Sequence, residues 1–185
     1  NPDAVIVLVT NYPYSIVELQ NRAKAIVYTA SGSQELGNGI AAVLSGRVNP
    51  AARLPMTWYR KDEDLADIND YDIIKGKRTY QYFDGKVLYP FGYGLSYTHF
   101  DYSNMNVVDN GDFTYTVTVD VTNNGEVEGD DVVQLYIDDG AEVPSNVQVA
   151  EKQLVAFDRV EDIEPGETKT ATMTVEKHML SYWDD

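Results

Sequence analysis

Between Phe113 and Thr122 the sequence alternates strictly. Phe113, Tyr115, Val117, Val119 and Val121 fall on one face, and Thr114, Thr116, Thr118, Asp120 and Thr122 on the other. A period of two in β-branched residues describes a strand with one buried face, paired antiparallel with its neighbours. The run Ala4-Val5-Ile6-Val7-Leu8-Val9 is different, being apolar throughout. A strand covered on both faces, as in a parallel sheet, reads that way. A chain of 185 residues carrying both patterns is expected to hold two architectures in succession.

The first architecture is α/β. Ser15 stands where a helix cap would, with Glu18 three residues later, ahead of Ile16, Val17, Leu19 and Ala23. A second apolar strand follows at Ala25-Ile26-Val27-Tyr28, and then a helix carrying Leu36, Ile40, Val43 and Leu44 on one face, ended by Gly46. A right-handed crossover places the two strands side by side in one parallel sheet. Two strands do not bury such a sheet, so this part reads as a portion of a larger domain.

Residues 46–97 are poorer in regular patterns. Leu54-Pro55-Met56-Thr57-Trp58 reads as a short edge segment, and 60–79 as an exposed acidic excursion. In the aromatic stretch 80–97, Asp84-Gly85 marks a hairpin between two aromatic runs. That stretch is either a linker packed onto a domain face or a sugar-stacking wall. Its prolines and glycines fix backbone shape, so an ordered strap docked on the α/β unit is expected.

The second architecture is a β-sandwich. After the alternating strand come Asn123-Asn124-Gly125 as a turn and strands at 132–137, 153–157 and 169–175, with Pro165-Gly166 turning the chain before the last. Short strands between such turns suggest an immunoglobulin-like or fibronectin type III-like fold, for which about seven strands are expected. Fewer are visible, so the domain reads as incomplete at its C-terminus. The charge also divides here. Residues 1–97 balance, and the whole net charge of −16 lies in residues 98–185. The expected organisation is a partial α/β sandwich domain over 1–60, an acidic loop and aromatic linker over 61–97, and a fibronectin type III-like domain over 98–185.

The acidic balance excludes a nucleic-acid partner and an anionic membrane surface, which need a cationic footprint. No apolar run approaches the roughly 20 residues of a membrane helix. With no Cys and only His99 and His178, thiolate and multi-His metal sites are excluded, and no cofactor is expected. Both histidines read as solvent-facing or core-packed.

Several stretches together resemble the C-terminal portion of family 3 glycoside hydrolases, the β-glucosidase and β-xylosidase group. They are Gly32-Ser33-Gln34-Glu35-Leu36-Gly37, Ala41-Ala42-Val43-Leu44-Ser45-Gly46, Asn49-Pro50-Ala51-Ala52-Arg53-Leu54-Pro55-Met56-Thr57, Lys77-Arg78-Thr79-Tyr80-Gln81-Tyr82-Phe83 and, most specifically, Tyr89-Pro90-Phe91-Gly92-Tyr93-Gly94-Leu95-Ser96-Tyr97. Val121-Thr122-Asn123-Asn124-Gly125, Val133-Gln134-Leu135-Tyr136 and Pro165-Gly166-Glu167 are similar to the family's fibronectin-like domain. Ala51-Ala52 stands where the family usually has Ser-Gly, and Gln81 where Arg is usual.

The resemblance implies a segment of an enzyme that hydrolyses terminal β-D-glucosyl or xylosyl residues with retention. Its substrate would be an oligosaccharide or aryl β-glycoside, and its intramolecular partner the remaining catalytic domains, including a barrel. It also implies that both catalytic carboxylates, which in a retaining enzyme sit about 5 Å apart, lie outside this chain. The chain alone is then expected to be inactive. Arg78 and Tyr82 are the candidate substrate-binding residues, at an active-site rim.

Other candidates have ordinary readings beside them. Glu35 lies at a strand-to-helix crossing where α/β sheets place ligands, yet an acid in the first turn of a helix is also the usual electrostatic choice. Asp62, Glu63, Asp64, Asp67, Asp70 and Asp72 read as a solvated face. Asp138, Asp139 and Glu142 lack the spacing of a calcium loop. Asn11-Tyr12-Pro13 reads as a structural turn or a substrate contact. The alternative function is a non-catalytic carbohydrate-binding or scaffolding module, with Trp58, Tyr82 and Phe91 as stacking platforms.

Overall fold

The computed structural model describes residues 1, 3–138 and 147–181. They form two compact units. The first comprises residues 1–48 and 54–93, and the second residues 49–53 and the chain from Gly94 onward.

In the first unit, β1 (Val5–Val9) and β2 (Ala25–Thr29) pair in parallel, with Val7 opposite Val27, around the crossover helix α1 (Val17–Arg22). Helix α2 (Leu36–Leu44) follows, and Gly46, at φ 72°, closes it in the left-handed conformation that a C-terminal cap requires. Ser15 does not cap α1. Ile16 takes the cap position and is buried, while the Ser15 hydroxyl donates 2.8 Å to Asp62 Oδ1. Burying Ile16 prevails over the capping bond at this end.

The aromatic stretch is ordered throughout, although not as a hairpin; it belongs to the first unit as far as Tyr93 and to the second from Gly94. Residues 79–82 form one helical turn, α3 (Thr79–Tyr82). The strand after Asp84-Gly85, β4 (Val87–Tyr89), pairs antiparallel with β3 (Trp58–Tyr59) instead of with the first aromatic run. The rings decide this pairing. Trp58 is 1% exposed, edge-on to Tyr28 at 5.2 Å and to Tyr89 at 6.2 Å. Tyr80 stacks on Phe91 at 4.2 Å, Tyr59 meets Phe83 at 4.8 Å, and Tyr89 stacks on Tyr93 at 5.3 Å. Ile16, Trp58 and Leu88 form the centre of this core, with Leu8, Ile26, Tyr28, Leu54 and Met56 packed around them. The strap thereby docks on the side of the parallel sheet that α1 also covers.

The second unit is a β-sandwich. One sheet has the order β5 (Phe100–Asp109), β6 (Thr114–Asn123), β9 (Thr168–Glu176), and the other pairs β7 (Gly129–Asp138) with β8 (Lys152–Ile163). All these pairings are antiparallel. Val117, Val119 and Val121 face the core, where they meet Val133, Val155, Val160, Ile163, Ala171 and Met173. The opposite face carries polar cross-strand contacts, including Thr122 to Thr168 and Thr170 to Asp120.

Phe113 departs from the alternation. It precedes β6, sits at φ 67° and is 80% exposed, because the turn from β5 ends there and its carbonyl accepts the Lys177 N–H. Asn123, fully buried at the β6 terminus, satisfies its side chain completely. It donates to the Val127 and Ile163 carbonyls and accepts from Thr98 Oγ1 and the Gly125 N–H. Glu167 N–H donates to the Glu164 carbonyl across Pro165-Gly166, which is the expected turn.

Candidate functional site

The carboxyl ends of parallel strands are where α/β sheets collect ligands. In the first unit that edge carries Asn11, Tyr12 and the residues leading into α2. Asn11 Oδ1 accepts the Ser31 N–H at 2.9 Å and so joins the two strand-end loops. The Thr10 side chain accepts the Tyr12 N–H at 3.2 Å, leaving the Tyr12 ring 71% exposed. Glu35 occupies the position before α2; its carbonyl accepts the Gly39 N–H at 3.0 Å, its side chain makes no cap bond, and Oε2 accepts 2.6 Å from Asn38.

Arg78 stands in a different construction, the acidic excursion. The carboxylates there fold back on their own backbone. Asp67 Oδ1 accepts from Asn69 N–H at 2.8 Å, Asp70 Oδ1 from Asp72 N–H at 3.1 Å, and Asp72 Oδ1 from the N–H groups of Ile74 and Lys75. Such Asx turns are what short acidic side chains favour in loops. Arg78 then closes the loop from within: Nη2 donates to the carbonyls of Asp67 and Asp70. Its Nε is buried and has no partner among the described residues. Lys77 and Thr79, on either side, hold positive φ values of 45° and 64°. Lys77 pairs with Asp84 and keeps that carboxyl below its usual range.

Tyr82 closes α3 and is half-buried. A groove of about 650 Å³ lies elsewhere on this unit, lined by Ile6, Ile16, Val17, Glu18, Leu19 and Arg22 among others, and neither Arg78 nor Tyr82 borders it. Trp58, at 1% exposure, is core and cannot serve as a stacking platform; Phe91 is covered by Tyr80.

Three carboxylates of the second unit, Glu128, Asp131 and Glu164, were not singled out by the sequence patterns. Glu128 and Glu164 face each other in adjacent turns, and the repulsion of Glu164 raises the Glu128 pKa above the ordinary value. Both are exposed. Asp131 is the one buried carboxylate among the described residues, and it bonds to Arg53 and to the Tyr102 hydroxyl. Its alternation with Val133 on β7 was the available signal: it puts an acid on the core face. Among the described residues no cluster of three or more His, Asp or Glu is arranged to hold a metal ion. Asp138 is exposed at the end of β7, while Asp139 and Glu142 lie outside the described residues. No helix among the described residues is long and apolar enough to cross a membrane.

Comparison with known proteins fits this architecture to a family. The glycosyl hydrolase family 3 C-terminal domain matches residues 1–97, and a fibronectin type III-like domain matches residues 131–185. The chain belongs to glycosyl hydrolase family 3. A probable beta-glucosidase I of Aspergillus fumigatus is 37% identical over 205 residues, covering 100% of this chain and 24% of that protein. A xylan 1,4-beta-xylosidase of Xylanibacter ruminicola is 40% identical over 185 residues, covering 96% of this chain and 20% of that protein. Among solved structures, DesR, a beta-glucosidase from Streptomyces venezuelae in complex with D-glucose, superposes with a TM-score of 0.87 at 31% identity, covering 100% of this chain and 25% of that one. The chain therefore spans about a quarter or less of the length of these relatives.

Proposed function

We propose that this family 3 segment serves a retaining β-glycosidase acting on terminal non-reducing β-D-glucosyl or xylosyl residues, with both catalytic carboxylates contributed by polypeptide outside these 185 residues. The observation that carries the reading is the match of the family domain over residues 1–97, shared with relatives named as beta-glucosidases and as a xylosidase. The burial pattern supports the second half of the statement. A general acid tuned for this chemistry sits in a desolvated site beside a second carboxylate. The first unit buries no carboxylate among its described residues, and Asp131 in the second is neutralised by Arg53.

Arg78 and Tyr82 act in this reading as substrate-rim residues, held by the pinned loop and by α3. The test is hydrolysis of nitrophenyl β-D-glucoside and β-D-xyloside by a full-length enzyme carrying this segment and by the segment alone. Turnover by the enzyme and none by the segment is expected. Enzyme-like turnover by the segment, abolished when one of its own acids is replaced, sinks the proposal. For the rim, Arg78→Gln and Tyr82→Ala are expected to raise KM more than they lower kcat. Unchanged kinetics in both removes the assignment.

A further inference from the structure

We propose that Asp131 is a charge lock in the second unit. Its counter-ion is delivered by the segment 49–53, and the unit is a stable sandwich only while Arg53 is in place. Asp131 lies on β7 on the same face as Val133, and its side chain is 1% exposed. An isolated carboxylate buried to that degree is strongly destabilising. Arg53 Nη2, on a side chain only 17% exposed, meets one of its oxygens and the Tyr102 hydroxyl meets the other. Tyr102 lies on β5 and Asp131 on β7, so the three groups bridge the two sheets.

The charges close as Arg⁺, Asp⁻ and a neutral tyrosine. Burial and the adjacent carboxylate push the Tyr102 pKa well up, which keeps its proton on the hydroxyl. Asp130, the neighbouring acid, points elsewhere, to Arg159 and the Asp162 N–H. Arg53 and Tyr102 are thus the titratable groups facing Asp131 among the described residues.

The segment that carries Arg53 is itself fixed to this unit. Asn49 Nδ2 donates 3.1 Å to the Glu128 carbonyl, and Asn49 Oδ1 accepts from Ser96 Oγ at 2.9 Å and the Tyr97 N–H at 2.8 Å. Arg53 Nη1 donates 3.0 Å to the Ala51 carbonyl, which orients the guanidinium. Arg53 and Asp131 are 78 positions apart, and residues 48 and 54, on either side of the segment, belong to the other unit. The lock thus makes the sandwich depend on a piece of chain far upstream of its own strands.

The experiment uses the whole chain and its variants Arg53→Met, Asp131→Asn and the double replacement, read by amide hydrogen exchange in β5 and β7, with β1 and β2 as internal controls. Arg53→Met is expected to speed exchange of protected β5 and β7 amides by about 100-fold or more, leaving β1 and β2 unchanged. The double variant is expected to recover most of that protection. Failure of Arg53→Met to fold while the double variant folds also supports the lock. Native protection in Arg53→Met, equal loss in single and double variants, or failure of both to fold overturns it.

Discussion

Replacing Trp58 by Ala separates a core role from a sugar-binding role more sharply than any other change in the first unit. The indole is 1% exposed, packs edge-on against Tyr28 and Tyr89, and sits with Ile16 and Leu88 at the centre of the core. Trp→Ala in such a place costs about 3–5 kcal/mol, combining lost transfer energy with the cavity left behind. Each edge-on aromatic contact accounts for about 0.5–1.5 kcal/mol of that. Trp58→Phe behaves differently. Trp58 Nε1 is buried without an acceptor among the described residues, so the native chain already bears the cost of an unmatched donor, of order 1–3 kcal/mol. Phe removes that donor and keeps a ring in place, so its expected cost is below about 2 kcal/mol. Amide exchange in β2 and β4 reads both opening energies, and titration with glucose reads binding. Protection in Trp58→Ala within about 1 kcal/mol of the native chain refutes the packing argument. Loss of sugar binding with protection intact restores Trp58 as a platform.

In the second unit, Val121→Ala removes two buried methyl equivalents from a fully covered position and is expected to cost about 1.5–3 kcal/mol, against under about 0.5 for Thr118→Ala on the outer face; denaturant titration of β6 exchange checks the ratio. Gly94→Ala is expected to cost more than about 2 kcal/mol, because a Cβ there lies 2.5 Å from the Ala52 carbonyl oxygen. Gly39→Ala on the open face of α2 meets nothing within 4 Å and is expected to stabilise by about 0.5–1 kcal/mol. Thermal melts of the two variants are expected to move in opposite directions. Asp84, Asp109 and Asp120 are pulled below the usual carboxylate range by their bonds to Lys77, Lys177 and the Asn104–Thr170 pair. For Asp130, burial acts upward, but the Asp162 N–H and Arg159 together prevail. Each depressed acid adds stability above its unfolded pKa, near 4, and loses it as pH falls through its folded value, so melting temperature is expected to fall from pH 5 to pH 3. Glu128, raised by Glu164, has the opposite sign, and Glu128→Gln is expected to raise the midpoint at pH 7 and not at pH 3.

What the sequence made legible is what a single period or a short turn can carry. The Val117–Val119–Val121 face, the parallel pairing of β1 with β2 and the cap at Gly46 all follow from patterns a few residues long. Where the backbone breaks its own period, the pattern disappears. β5 shows no clean alternation because Asn104, at φ 53°, sits in a bulge between Ser103 and Asn106. Phe113 looks like the first core residue of β6 and is instead the last residue of a turn. Tyr80 and Tyr82 look like strand residues, yet the stacking of Tyr80 on Phe91 is better served by one helical turn. Relations across long separations are the least legible. Arg53 belongs to a family-like stretch and Asp131 to none, and nothing local says that one answers the other.

Arg78 shows how the same residue can be structural and still keep chemistry to offer. Its loop is rich in acids, and a guanidinium among acids normally ends in an ion pair. Here the Asp67, Asp70 and Asp72 carboxylates are spent on backbone N–H groups, while Arg78 is bonded to carbonyl oxygens. Carbonyls are neutral partners, so the loop is pinned while the guanidinium keeps its charge; no carboxylate among the described residues lies within ion-pair distance of it. A sugar hydroxyl is recognised by fixed, directional donors, and a donor already held by two bonds loses little freedom on binding. The positive φ values of Lys77 and Thr79 belong to the same economy of form. Strained backbone persists where the surroundings over-determine it, and here the strained pair flanks the residue whose guanidinium bonds the Asp67 and Asp70 carbonyls. The proposed rim role rests on the charge that the loop leaves in place, and because Arg78→Gln removes the two loop bonds as well, Arg78→Lys beside it separates the charge from the pinning.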